Sequence, residues 1–256
     1  MGKVIADARL ELLLAELRLP TVRKTYRKIA KEVAAAGGDY LAFLGALVNE
    51  EISDRRSRRI QRRTKEAKFV QQKTLAELDV AALPKGASMA QLQQLASGEY
   101  IEEKSNIIAI GGSGTGKTHV SIALGVAACE QGKRVRFTTA VGLVSELEEA
   151  QEQHQLHRYL KRLGALDLLI IDELGYLPVS DRGAELLFQA FSERHERGSI
   201  IMNSNLPFEE WAQIFKTERL AVALLDRVTH RAIVLEMNGP SYRLRTARKQ
   251  DPNNKP

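Results

Sequence analysis

One cysteine, Cys129, in 256 residues can close no intrachain disulfide and build no cysteine metal cluster, so a reducing, cytoplasmic setting is the expectation. Long apolar runs are missing too. The longest stretch without a charge, residues 86–98, holds 13 residues and is rich in Gln and Ser, which excludes a membrane span. No secretory core stands near the N-terminus, where Glu11 interrupts residues 10–14, and Ala6 occupies the place a myristoylation signal gives to Ser or Thr. The five histidines show no metal spacing with acids or with the cysteine. His154 and His157 read as surface residues and Cys129 as a small core hydrophobe. Aromatics are only 5% of the chain, and Tyr100, Tyr176 and Trp211 read as packing residues, not stacking platforms. What remains, 44% apolar and 27% charged, is ordinary for a globular protein, and a chain of this length buries roughly 70–75% of its unfolded surface.

Charge is unevenly spread. The whole chain carries +6, but residues 1–68 carry +7 and the remainder −1. An excess confined to one end points to a polyanion as partner, nucleic acid before a membrane surface. Most of it lies in Arg55, Arg56, Arg58, Arg59, Arg62, Arg63, Lys65 and Lys68, eight basic residues in fourteen. They lack interleaved aromatics, an apolar face and any base-reading pattern, so the expected contacts are with duplex DNA phosphates, salt-sensitive and largely sequence-tolerant.

Residues 1–68 read as a small helical domain. Leu10, Leu13, Leu14 and Leu17 recur at helical spacing up to Pro20, and Val22, Tyr26, Ile29 and Val33 form a second stripe. After Gly37 and Gly38, a long helix starts at Asp39 as N-cap and runs into the basic cluster. Only Ile60 and Ala67 are left to pack there, so this helix end is expected to project from any core. Residues 69–104 read as a bridging region with one small helix near Met89. From residue 105 to 248, short apolar runs at 107–110, 135–138, 168–171, 199–202 and 232–235 alternate with helical stretches, the pattern of a parallel sheet covered by helices. Residues 249–256 read as a loose tail.

After the first of these strands comes Gly111-Gly112-Ser113-Gly114-Thr115-Gly116-Lys117-Thr118, followed by a helix. This is the strand, glycine loop and helix order of a P-loop. Glycines let consecutive backbone N–H groups curl toward phosphate oxygens, and the helix N-terminus adds positive potential. Lys117 then reaches the β and γ phosphates of ATP, and the Thr118 hydroxyl is a magnesium ligand. Fifty-five residues beyond Lys117, the strand Leu168-Leu169-Ile170-Ile171 ends in Asp172 and Glu173. It delivers two carboxylates to the sheet edge where ligands of open α/β sheets bind. Asp172 suits Mg²⁺, and Glu173 suits polarising a water that attacks the γ phosphate. A third strand ends in Asn203-Ser204-Asn205, and Asn205 is the candidate to orient that water.

Together GGSGTGKTHVSIALG, LLIIDELGYLPVSDRGAELLFQAFSERHERGSIIMNSNLPFEEW, ALLDRVTHRAIVLEMNGPSYRL and AKFVQQKTLAEL resemble the IstB family, ATPase helpers of IstA-type insertion-sequence transposases, over about residues 10–244. The resemblance implies an α/β fold: a five-stranded parallel AAA+ P-loop core of strand order 5-1-4-3-2, in the initiator and helicase-loader clade that includes DnaC. It implies Mg-dependent ATP hydrolysis, homo-oligomers with ATP sites between subunits, and partnership with double-stranded DNA and an IstA-type transposase, so that target DNA is bent and presented for transposition. Mapped here, Gly111 to Thr118 are the Walker A motif, Asp172 and Glu173 the Walker B motif, Asn205 the sensor-1 residue, Arg227 an arginine finger for a neighbouring subunit, and Arg243 a second nucleotide-sensing arginine. Gly112-Ser113 stand where many relatives have Pro or Thr, and Asn203 stands where Thr is common, which leaves the sensor between Asn203 and Asn205. A DnaC-type helicase loader is the nearest alternative. A small-molecule kinase lacks an evident acceptor pocket, and a scaffold with a degenerate P-loop is at odds with intact Lys117, Thr118, Asp172 and Glu173.

Overall fold

The computed structural model describes residues 2–84, 86–176, 180–211 and 218–242, with the side chains of 2–6 and 218–220 left aside. The chain divides into two compact units, Met1–Arg62 and Arg63–Pro256.

The first unit contains α1 (Gly2–Glu16), α2 (Pro20–Ala35) and most of α3 (Tyr40–Glu66). Pro20 opens α2, where its missing N–H costs nothing. Leu19, at the N-cap, has no side chain to offer the next donors. Glu51 of α3 does that work from a distance: its buried Oε2 accepts from the backbone N–H groups of Thr21 at 2.9 Å and Val22 at 3.0 Å. Burial pushes the Glu51 carboxyl up, but the hydrogen bonds from Val22, Arg55 and Thr21 outweigh it and hold it below its ordinary value. Leu14, Val22, Ile29 and Leu47 form the small buried core. Asp39 caps α3 as expected, its Oδ1 accepting from Ala42 N at 2.8 Å.

Arg55 donates to Glu51 at 2.8 Å and to the Arg18 carbonyl, while Arg58 pairs with Asp54 at 2.9 Å. Arg56, Arg59 and Arg62 are exposed. The end of α3 does not project. Ala67 is fully buried in the second unit, Thr64 is hydrogen-bonded with the Cys129 thiol, and Arg63 is half-buried and paired with Glu66 at 3.2 Å. The small side chains at 64 and 67 let this turn lie close against the core despite its flanking charges, and Lys65, Glu66 and Lys68 stay in the open there.

The second unit is built on β1 (Asn106–Ile110), β2 (Val135–Thr139), β3 (Leu168–Leu174), β4 (Ser199–Ser204) and β5 (Ala232–Glu236). All pair in parallel in the order β2-β3-β4-β1-β5, the expected five-stranded topology. One face packs on α6 (Lys117–Glu130), where Gly125 lets the helix approach Ile170 and Phe69 closely. The other carries α7 (Ala140–Glu152), α8 (Leu156–Gly164), α9 (Asp181–Arg194) and α10 (Glu218–Thr229). Burial on both faces is why the central strands β1, β3 and β4 are rich in continuous apolar residues, while the edge strands β2 and β5 are only partly buried.

The bridging region belongs to this unit. It includes 3-10 turns at Leu75–Glu77 and Val80–Ala82, then α4 (Met89–Ala96) and α5 (Glu99–Glu102). Phe69, Leu75, Leu78 and Leu83 pack against the α6 side of the core. The segment is tied to both sheet edges: Phe137 N of β2 donates to the Ala67 carbonyl at 2.7 Å, and Gly86 forms an antiparallel bridge with Glu236 of β5. Trp211 and Tyr100 are buried as expected, whereas Tyr176 is 71% exposed, because it follows β3 in a turn beyond the sheet edge. Cys129 is buried, and burial pushes its thiol up to about 11. Residues 243–256, which include the expected tail, lie outside the described residues.

Candidate nucleotide site

The P-loop leaves β1 at Ile110 and turns into α6 at Lys117. Gly114 at φ +78° and Gly116 at φ +101° lie in the left-handed region that favours glycine. Space makes the same demand at Gly111, where an added Cβ would stand 2.2 Å from the Met237 carbonyl. Gly112 and Ser113 are exposed at the tip, and the buried Thr115 donates from Oγ1 to the Gly112 carbonyl at 2.9 Å, stiffening the loop. Lys117 Nζ donates to the Gly111 and Gly112 carbonyls at 2.6 and 2.7 Å, which holds the ammonium inside the loop.

Thr118 Oγ1 donates to Asp172 Oδ2 at 2.9 Å, joining the start of α6 to the end of β3. Asp172 is only 6% exposed. Its other oxygen accepts from Asn203 Nδ2 at 3.0 Å and from Glu173 N at 3.0 Å. The Asn203 amide is in turn fixed by Ser121, whose Oγ donates to Asn203 Oδ1 at 2.7 Å. Ser121 and Asn203 are fully buried, so α6, β4 and β3 share one buried polar chain. The alternatives left by the sequence therefore separate here: Asn203 touches the carboxylate, while Asn205 lies past the end of β4 and is exposed. Both share one strand parity, and where β4 ends distinguishes them.

Glu173 follows at φ +61°, beside an irregularity in β3–β4 pairing between Ile171 and Leu174. This backbone is unusual for a non-glycine residue and takes Glu173 out of the regular strand alternation, leaving it exposed at the sheet's C-terminal edge. Thr118 and Asp172 form a hard oxygen pair of the kind that serves Mg²⁺ together with phosphate oxygens. A buried carboxylate whose hydrogen-bond donors among the described residues are all neutral fits a nearby cation.

Lys117 and Thr118 border a cavity of about 500 Å³. Its phosphate end is the loop from Gly114 to Thr118, and its apolar wall comes from Val70, Leu78, Leu83 and Ile122, with Gln71 and Asp79 as polar points. The former bridging region is thus a wall of the site, which sequence reading missed; its Leu75, Leu78 and Leu83 were the available signal. Tyr242 also lines the cavity and donates from its backbone N–H to the Gly114 carbonyl at 2.9 Å. Arg243 lies outside the described residues.

Arg227 lies near the C-terminus of α10, just before β5. Its guanidinium lies 4.2 Å from the centroid of the Phe188 ring and donates to Ser192 Oγ. β1 and β5 are parallel and in register from Asn106 with Ala232 to Ile110 with Glu236. Arg227 therefore stands at the sheet edge opposite this chain's own P-loop, about 15 Å away along the strands. Among the described residues no helix is long and apolar enough to cross a membrane.

Residues 12–250 match the family model for IstB-like ATP binding protein. An insertion sequence ATP-binding protein of Sinorhizobium fredii is 37% identical over 95% of this chain and 82% of its own length. The insertion sequence IS21 ATP-binding protein of Pseudomonas aeruginosa is 35% identical over 94% and 90%. Among solved structures, AMPPCP-bound DnaA from Aquifex aeolicus aligns with TM-score 0.55 at 22% identity, over 72% of this chain and 55% of that one. DnaI aligns with TM-score 0.54 at 16% identity, over 64% and 90%. At these identities the two structures speak for the fold alone.

Proposed function

Because the chain belongs to the family of IstB-like ATP-binding proteins, we propose that it hydrolyses ATP, assembles on double-stranded DNA and serves an IstA-type transposase in insertion-sequence transposition. ATP binding by an insertion-sequence helper is the premise; hydrolysis, DNA, transposase and assembly are the reading built on it. The observation that carries hydrolysis is the convergence of Lys117, Thr118, Asp172 and Asn203 on one sheet edge with Glu173 beside them.

Bound ATP with Mg²⁺ supplies the phosphoryl group and the charge that shields it. Residues of this chain then have separate tasks. Backbone N–H groups of the P-loop and the Lys117 ammonium hold phosphate oxygens. Thr118 and Asp172 hold the divalent ion, and Asn203 keeps the Asp172 carboxylate in place from behind. The Glu173 carboxylate accepts the proton of the attacking water. Arg227, too far from the nucleotide of its own chain, completes the site of a neighbour, which makes turnover depend on assembly. The exposed Arg56, Arg59, Lys65 and Lys68 contact the DNA backbone.

The insertion-sequence relatives favour this reading over a helicase loader. Light scattering and phosphate release, with and without ATP and a linear duplex, test it together. ATP-dependent growth of particles on duplex, with release of phosphate, is the expected result. Growth requiring single strands or an added helicase would establish the loader instead. Assembly with no phosphate released would leave an ATP-binding protein that is not an ATPase.

A further inference from the structure

At the sheet edge opposite the P-loop, where β1 and β4 begin, lies a second cavity of about 90 Å³. Its lining carries Lys104, Arg227 and Arg231, with His195 and His230, whose rings meet edge to face at 6.0 Å between centroids. Arg194 also lines it and is fully buried. The Arg194 Nη atoms donate to the carbonyls of Leu163, Leu166 and Ser199. Those acceptors answer its geometry but not its charge. Its Nε is buried with no hydrogen-bond partner among the described residues. Four fixed cations thus border one small space in which Glu196 is the single carboxylate of the lining.

We propose that this cavity binds a phosphate group. Its small size leaves room for one tetrahedral oxyanion. Guanidinium and ammonium donors arriving from several elements suit an acceptor that presents oxygens in several directions. An anion here offsets a fully buried guanidinium whose hydrogen-bond partners among the described residues are all carbonyls, and on which the Asp167 carboxylate acts only from a distance. The site was invisible to charge counting, because residues 69–256 are near neutral as a whole and the cations come from separate parts of that sequence. It is independent of the nucleotide site: one faces the C-terminal ends of the strands, the other their N-terminal ends. The phosphate has two possible sources, a nucleic-acid backbone or a nucleotide held by a neighbouring copy, and only the second rests on the assembly proposed above.

The test is a titration of the full chain with inorganic phosphate, followed by backbone amide NMR, with chloride at matched ionic strength as control. Phosphate is expected to shift His195, Gly198 and His230, separately from any response at Gly114 and Gly116 of the P-loop. Replacing the outer cations, Lys104→Gln with Arg231→Gln, is expected to weaken that response about tenfold or more while the P-loop response and the melting temperature stay put. A short duplex at protein concentrations too low for assembly reproduces the shifts if the source is nucleic acid. An ATP analogue produces them only as subunits associate if the source is a neighbour's nucleotide. Shifts confined to the P-loop, equal shifts with chloride, or an unchanged response in the double variant would overturn the site.

Discussion

Replacing Arg56, Arg59 and Lys65 with Gln removes three exposed cations of α3 and its end without touching the acids that hold Arg55, Arg58 and Arg63. That separation matters, since an arginine already bound to a carboxylate carries a structural duty and releases fewer counterions on meeting DNA. Each phosphate contact contributes about 0.9 to the slope of log affinity against log salt, so three lost contacts flatten it by about 2.7. Between about 50 and 200 mM salt, the parent should therefore lose roughly 40-fold more affinity than the variant. Fluorescence anisotropy of a labelled linear duplex across that range, at fixed ATP analogue, reads the slope directly. The loss should be similar for unrelated duplex sequences, because phosphates carry little base information. An unchanged slope in a variant that still melts like the parent would refute the reasoning and move DNA contact to another surface. Arg55→Gln with Arg58→Gln is the opposite control: it removes partners of Glu51 and Asp54, so it should lower the melting temperature more than the triple replacement does.

The nucleotide site gives sharper tests. Lys117→Ala should abolish nucleotide binding, whereas Glu173→Gln should retain ATP and hydrolyse it at least a hundredfold more slowly, as equilibrium binding and single-turnover rates would show; equal losses of affinity would sink the division of roles. Asn203→Ala should slow turnover at least tenfold, while Asn205→Ala should stay within about twofold, and Ser121→Ala should add little once Asn203 is gone, a cycle that steady-state kinetics can close. Mixing Arg227→Ala subunits with Lys117→Ala subunits should restore part of the activity that each lacks alone, since the two defects fall on opposite sides of a shared site; no recovery at any ratio would count against action in trans. Glu51→Ala should destabilise the helical unit by about 1–2 kcal/mol at neutral pH by uncapping α2. The Glu51 carboxyl is held below its ordinary value, so its contribution is complete above the unfolded-state value and fades as pH falls through the folded one. Thermal melts of parent and variant should accordingly converge as pH falls through the folded-state value, and a gap that does not narrow in acid would contradict the cap.

What could be read from sequence was local. Gly111 to Thr118 between a strand and a helix, and four apolar residues ending in Asp172, are patterns whose meaning is set within a dozen residues, and the sheet order follows the family. What could not be read depends on which distant segments touch. Eight cations around α3 predict a solvated end, yet Ala67 and Thr64 give that turn a face small enough to pack, and a two-residue face is below what periodicity detects. Asn203 and Asn205 have equal claims until the reach of β4 along Asp172 is known. The glycines and prolines of residues 69–104 suggest a linker, and only the packing of Phe69, Leu75 and Leu78 makes it a wall of the nucleotide cavity.

The strap formed by residues 67–84 and Gly86 bears on how copies of the chain can join. A parallel sheet ends in two rows of unsatisfied peptide groups, and such rows invite a strand from another molecule. Here the Ala67 carbonyl occupies the middle of the outer row of β2, and Gly86 closes on the last residue of β5, so close that a Cβ would stand 2.4 Å from the Glu236 carbonyl. One continuous segment obstructs strand addition at both margins. In the assembly proposed above, subunits therefore meet through helices and loops, whose contacts can loosen and re-form with each nucleotide, and not through a shared sheet, which would weld them together.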